Sequence, residues 1–188
     1  VDAINDADIW TRGSIAIALG NNSGKRAIDA LIKLLEDVDS DVRYESSEAL
    51  KKLNWYPQTE KEEIKYFIAN REWESLIKIG VPAVDPLIKL YNNDQDKYIC
   101  SSVIRVLGEI GDKRAIETLI RALEDKRYFW IRAYAIEALG NIGDPKVVDT
   151  LKYYLEDDNL SIRKRAEEVI KKIEEESKTL DAHFQTFI

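Results

Sequence analysis

The sequence predicts an all-α fold, a right-handed α-solenoid in which helical hairpins stack around one continuous core. Three observations predict it. The stretch from Val106 to Asp125 is restated from Ala138 to Asp157: Gly108 and Gly111 recur as Gly140 and Gly143, Leu119 as Leu151 and Leu123 as Leu155, each 32 residues on. A fixed period of that size is the mark of stacked repeats. Apolar residues within each copy fall at helical spacing. Charged residues make up 34% of the chain, above the usual quarter, as a stack that exposes much surface per residue requires.

Taken in order, Asp8 to Gly20 reads as a helix closed by Gly20 in a left-handed stop. Lys25 to Glu36 carries Ala27, Ile28, Leu31, Ile32 and Leu35 on one side, the pattern of a half-buried helix. Ser40 to Leu50 opens a second hairpin. Its Val42-Arg43 matches Thr11-Arg12, Ile131-Arg132 and Ile162-Arg163, with Ile99-Cys100 in the third position. These pairs start 31, 57, 32 and 31 residues apart, so an insert follows the second opening helix.

The insert, Asn54 to Gly80, is itself helical by pattern. Trp55-Tyr56-Pro57 ends the preceding helix, because proline disfavours helical geometry in the residue before it. Thr59 and Glu62 form a capping box. Ile64, Phe67 and Ile68, then Trp73, Leu76 and Ile77, predict helices near 59–70 and 72–79. The second hairpin resumes at Val81, and Pro86 is expected to tighten or kink its start. Ser161 to Glu174 is a last opening helix whose charged outer face suits the end of a stack. The tail from Leu180 to Ile188 has apolar residues at i, i+4, i+7 and i+8; it reads either as a cap or frayed end, or as a docking peptide. The expected organisation is one domain, 1–188, with repeats at about 6–37, 38–93 (insert 54–80), 94–125 and 126–157, a half-repeat cap at 158–176 and a tail at 177–188.

The Val-Arg opening, Ala-Leu-Gly at the end of the first helix, Ile-Gly-Asp in the turn and Leu-Ile in the second helix resemble HEAT repeats of the phycobilisome-lyase-like subgroup. The match is nearly complete in the third and fourth units, apart from Cys100, and partial in the first two. The insert also resembles a recurring element of such proteins. The resemblance implies the solenoid fold and a concave side lined by second helices. It does not fix an activity, since the repeat is a scaffold that many unrelated proteins share.

Composition narrows the function. A net charge of −7 argues against broad nucleic-acid binding, which needs a basic stripe. Only the block 97–132 is basic, at +3, which could favour an acidic partner. Cys100 is the sole cysteine, so no intramolecular disulfide forms, and a reducing, cytoplasmic location fits. No run approaches 18 apolar residues, so a soluble chain without a membrane partner is expected. His183 is the only histidine, which removes His-Glu metal pairs and Ser-His-Asp or Cys-His arrangements on structured elements. The same count removes the hydroxylase branch of HEAT-repeat enzymes, which resemblance implies would need paired His-Glu motifs. A HEAT-like DNA glycosylase would draw on residues such as Trp130, Arg132, Tyr134, Arg121 and Arg127, but the acidic total fits it poorly. No catalytic residue, metal ligand or cofactor site is expected.

The second helices carry the candidate site. Their exposed columns are Arg26, Pro82, Arg114 and Lys146; Asp29, Asp85, Glu117 and Asp149; and Lys33, Lys89, Arg121 and Tyr153. Acid-to-base pairs four residues apart, Asp29–Lys33, Asp85–Lys89 and Glu117–Arg121, would stabilise a solvated face. The same face reads alternatively as a charged groove for a partner protein or peptide. On that reading Lys33, Lys89, Arg114, Glu117, Arg121, Lys146, Asp149 and Tyr153 contact the partner. Trp10, Tyr98 and Trp130 align just before the opening pairs, with Tyr128 and Phe129 adjacent to the last; they either pack between hairpins or, if Trp130 or Phe129 is exposed, add a hot spot. The arginines at positions 12, 43, 132 and 163 are expected to pair with acids just before each opening helix: Asp39, Asp41, Asp125, Asp157 and Asp158. The expected function is a non-enzymatic interaction scaffold; the alternative, implied by the subgroup alone, is an auxiliary subunit of a chromophore lyase-type enzyme.

Overall fold

The computed structural model describes residues 8–94 and 96–185, with side chains described as far as Thr179. The described chain is all-helical and forms two compact units, 1–96 and 97–188.

In the first unit, α1 (Ile9–Leu19) and α2 (Lys25–Leu34) make one hairpin, and α3 (Ser40–Lys52) opens the next. The insert follows as α4 (Glu60–Ala69) and α5 (Trp73–Ile79), close to its expected bounds, and α6 (Val84–Asn93) completes the interrupted hairpin. The core joins Ala16 of α1, Leu31 and Leu34 of α2, Val42 and Leu50 of α3 and Ala69 of α4, with Trp55 and Tyr66 packed against it. Both rings, 6.0 Å apart between centroids, belong to the insert and are half-buried against this core, which ties the insert to the hairpins it interrupts. Helix α3 is stopped by Asn54, which turns left-handed at φ 54°, ahead of the expected Pro57. The cap on α4 is split between neighbours: the Glu62 amide donates to Thr59 Oγ1 at 3.2 Å, but the Glu62 carboxylate accepts from the Gln58 amide at 2.8 Å.

In the second unit, α7 (Lys97–Ile110) and α8 (Ile116–Leu123) form one hairpin. A second is built from α9 (Phe129–Ile142) and α10 (Val148–Lys152), and α11 (Leu160–Gln185) closes the unit. The second helices α6, α8 and α10 each begin after a 3₁₀ turn. Because α8 and α10 lack proline at the position of Pro86, that entry belongs to the hairpin rather than to the proline. Helix α11 runs unbroken into the stretch expected to be a separate tail. The side chains that would decide between cap and docking peptide, that of His183 among them, lie beyond Thr179, the last residue whose side chain is described.

The two repeated glycines do different work. Gly111 and Gly143 take left-handed conformations, at φ 74° and 67°, and turn the chain out of each opening helix. Gly108 and Gly140 are contact points. A Cβ on Gly108 would lie 2.5 Å from Ala138 Cβ on the next opening helix, and one on Gly140 would lie 2.8 Å from Val169. Gly20, expected to be left-handed, instead stays right-handed at φ −62°, and a Cβ there would meet Ala49 Cβ at 2.9 Å. Its role is closeness of α1 to α3.

Arginine clasps close the hairpins. Arg12 on α1 grips Asp37 beyond α2 with two bonds of 2.7 and 2.8 Å. Arg132 on α9 reaches Asp157 beyond α10 at 3.2 Å, again 25 residues on. Arg43 on α3 pairs with Asp94 beyond α6, 51 residues on because the insert lies between. Other guanidinium atoms take the backbone before their own helix: Arg43 binds the carbonyls of Asp37 and Val38, Arg132 that of Asp125, and Arg163 those of Asp157 and Asp158. The carboxylate partners are thus the acids after each hairpin rather than Asp39 or Asp41. Asp39 instead caps α3, and Asp41 pairs with Arg71. At the third position, Asp125 stands 25 residues beyond Cys100 and takes Arg127 as its partner at 3.2 Å.

The glycine contacts make a prediction. Gly108→Ala forces two backbones apart, an overpacking cost of about 1–3 kcal/mol, against roughly 1 kcal/mol of helix propensity gained; it should lower the thermal midpoint. Gly13→Ala, where a Cβ meets nothing within 4 Å, should raise it. Melting curves for both variants check the pair, and two increases would contradict the close-approach reading.

Candidate partner-binding site

Eight of the nine candidate residues belong to second helices or the turns beside them, and those eight are exposed. In the second unit, Arg114, Glu117 and Arg121 lie on the entry turn and helix of α8, and Lys146, Asp149 and Tyr153 lie along α10 and the 3₁₀ turns flanking it. In the first unit, Lys33 is in the last turn of α2 and Lys89 is on α6. Trp130 stands apart from this set, in the first turn of α9.

The helices expose this face because their other side is filled. Ala30, Leu31 and Leu34 of α2, Leu119, Ala122 and Leu123 of α8, and Val148 and Leu151 of α10 are buried. The expected acid-to-base pairs four residues apart are not what orders it. Among the described residues Asp29 makes no ion pair with Lys33, nor Glu117 with Arg121. Arg121 donates to the Thr118 hydroxyl at 3.2 Å, and Asp149 pairs with Lys152 at 3.0 Å. Arg114 folds back in a fork onto Asp112, at 3.0 and 3.1 Å. Tyr153 is 83% exposed, its ring meeting Tyr154 edge-on at 5.9 Å. Beside it, Lys146 and Asp149 border an open depression of about 480 Å³ that Ile173 of α11 floors.

A second cleft lies in the first unit. It holds about 360 Å³, and Lys89 lines it together with Leu35, Val38, Ile68, Pro86 and Leu90. Sequence columns placed Lys89 on the exposed second-helix face, read as solvated or as a charged groove. The cleft arises from the insert, whose Lys65 and Ile68 on α4 form one wall.

The aromatic residues before the opening pairs divide. Trp10 is 86% and Tyr98 67% exposed, so neither packs between hairpins. Trp130 is half-buried, its ring 4.9 Å from that of Tyr128 and 5.6 Å from that of the exposed Phe129. Lys97 Nζ sits 5.1 Å from the Tyr98 ring and 4.9 Å from the Tyr128 ring. Those cation–π contacts gather a basic and aromatic cluster that residue spacing did not reveal.

The shifted carboxyls are all structural acceptors. Arg114, by its guanidinium and then its amide, holds Asp112 below the ordinary 3.8. The Lys146 amide, then Lys113 at 3.1 Å, does the same for Asp144. For Asp125, burial pushes upward, but the amides of Tyr128 and Arg127 and the Arg127 guanidinium together outweigh it and leave the carboxyl lowered. A general acid needs a shift in the other direction. Among the described residues no cluster of three or more His, Cys, Asp or Glu could hold a metal ion, and no helix is long and apolar enough to cross a membrane.

A family model described as HEAT repeats matches residues 1–69 and 84–171, leaving out residues 70–83 and 172–188. Among solved structures, the chain is similar to an engineered protein, at 19% identity over 93% of this chain and 94% of that one, with a TM-score of 0.46. It is similar to the complex of CpcE and CpcF of phycocyanin lyase from Nostoc, at 21% identity over 92% of this chain and 62% of that one, TM-score 0.46. It is similar also to human deoxyhypusine hydroxylase in complex with glycerol, at 19% identity over 92% of this chain and 82% of that one, TM-score 0.39. Comparison with curated proteins finds no match.

The lowered carboxyls set a pH dependence. Asp112 and Asp144 titrate below 3.8 when folded, so their stabilisation is complete above the unfolded value and is lost as pH falls through the folded one. Urea midpoints should therefore drop between about pH 5 and pH 2. Asp144→Asn, which keeps a side-chain acceptor for the cap but loses the Lys113 pair, should start lower at neutral pH and fall less steeply. An unchanged slope would contradict the assignment.

Proposed function

The chain belongs to the HEAT-repeat family, and from that premise we propose that it is a non-enzymatic scaffold holding a partner protein or peptide against the exposed faces of its second helices. The observation that carries this is Tyr153, 83% exposed on the same second-helix segment as Lys146 and Asp149. Interfaces favour a tyrosine of that kind, because its ring adds apolar contact and its hydroxyl stays hydrogen-bonded. Arg121, Glu117, Lys146 and Asp149 supply the surrounding charge, and the apolar side of the same helices holds the fold together. The net charge of −7 favours a protein partner over a polyanion.

A photo-crosslinking residue at Tyr153 or Arg121 should trap a partner protein in the native source, whereas one at Glu167, exposed on α11, should not. Charge reversal of Arg121 and Lys146 together should cut the yield of the Tyr153 adduct several-fold. Adducts from Glu167 alone, or a yield indifferent to the charge reversal, would overturn the face assignment.

A further inference from the structure

We propose that the insert-built cleft in the first unit seats one bulky apolar side chain of a partner peptide, with a neighbouring carboxylate of that peptide held by Lys89. This rests on the scaffold reading and names the chemistry of one of its contacts.

The shape comes first. Leu35 and Val38 at the end of α2, Ile68 on α4, and Pro86 and Leu90 on α6 line a trough of about 360 Å³. That lies at the lower end of the range for small-molecule pockets, roughly 300–1,000 Å³. Val38 is 71% exposed, an apolar side chain left in water at the trough that a docked side chain would cover.

Charge then selects the occupant. Six ionisable side chains line the cleft, and five of them are committed. Arg43 and Asp94 pair, with side chains only 5% and 4% exposed. Asp37 is held by Arg12, and Glu36 bonds Lys65 at 2.5 Å. Lys89 is the lining residue that makes no ion pair among the described residues, and it is exposed. An apolar residue beside an acidic one satisfies both halves. A basic neighbour would instead meet Lys89 with like charge, which discriminates strongly at a contact.

The test uses the full chain and a short capped peptide carrying one leucine between two glutamates, followed by amide chemical-shift mapping. Shifts should centre on Leu35, Val38, Ile68 and Leu90. The Lys89→Glu variant, which sets like charge against the peptide's glutamates, should weaken binding at least about tenfold. Val38→Asp, a surface change that spares the core, should abolish it, and a peptide with lysines in place of glutamates should fail. Shifts that land on Arg121 and Tyr153 instead would overturn the cleft assignment and leave the scaffold reading standing. Binding indifferent to Lys89→Glu, no binding at all, or binding of decanoate with none of the peptide would overturn it too. Loss of the Tyr153 crosslink alone would count against the scaffold reading and leave the peptide result untouched.

Discussion

A guanidinium near the start of one helix and a carboxylate just beyond its partner helix hold three of the hairpins shut, all but the one that carries Cys100. Arg12 with Asp37, Arg43 with Asp94 and Arg132 with Asp157 repeat the device. Each of these aspartates also accepts from the amide two residues on, which shapes the loop before the next hairpin. Asp37 and Asp157 do a third job, since their own carbonyls receive Arg43 and Arg163. One residue thus closes its hairpin and starts the next. The glycine contacts set how closely successive opening helices approach.

The device explains how the second hairpin tolerates its insert. Arg43 still finds the acid beyond α6, although 51 residues now separate them. Lengthening a closed loop twofold costs only about 0.6 kcal/mol in entropy, so a buried charge pair can bear it. The insert adds a wall rather than a disruption, and that wall makes the cleft at Lys89.

The helical pattern and the insert were legible because apolar spacing and breaking residues act locally. The clasp partners were not, because the sequence offers an acid on both sides of each arginine. The constant 25-residue interval from Arg12 to Asp37 and from Arg132 to Asp157 would have separated them. Gly20 misled for a related reason: a glycine at a helix end suggests a turn, and only the approach of Ala49 shows that it marks a contact. The second-helix face could be read from the columns, but the direction of each side chain could not. Arg114 turns to Asp112 and Arg121 to Thr118, choices set by local hydrogen bonds rather than by period. The cleft escaped column reasoning altogether, since its wall comes from residues outside the repeat.

The central claim is that the arginine clasp, spanning the insert, holds the first unit's interrupted hairpin together. A double-mutant cycle on Arg43→Met and Asp94→Leu tests it most directly through urea unfolding. Each single change leaves a buried charge without its partner and should cost about 3–5 kcal/mol. The double variant should recover part of that loss, giving a coupling of roughly 1–3 kcal/mol. Additive losses, with no recovery in the double variant, would contradict the account.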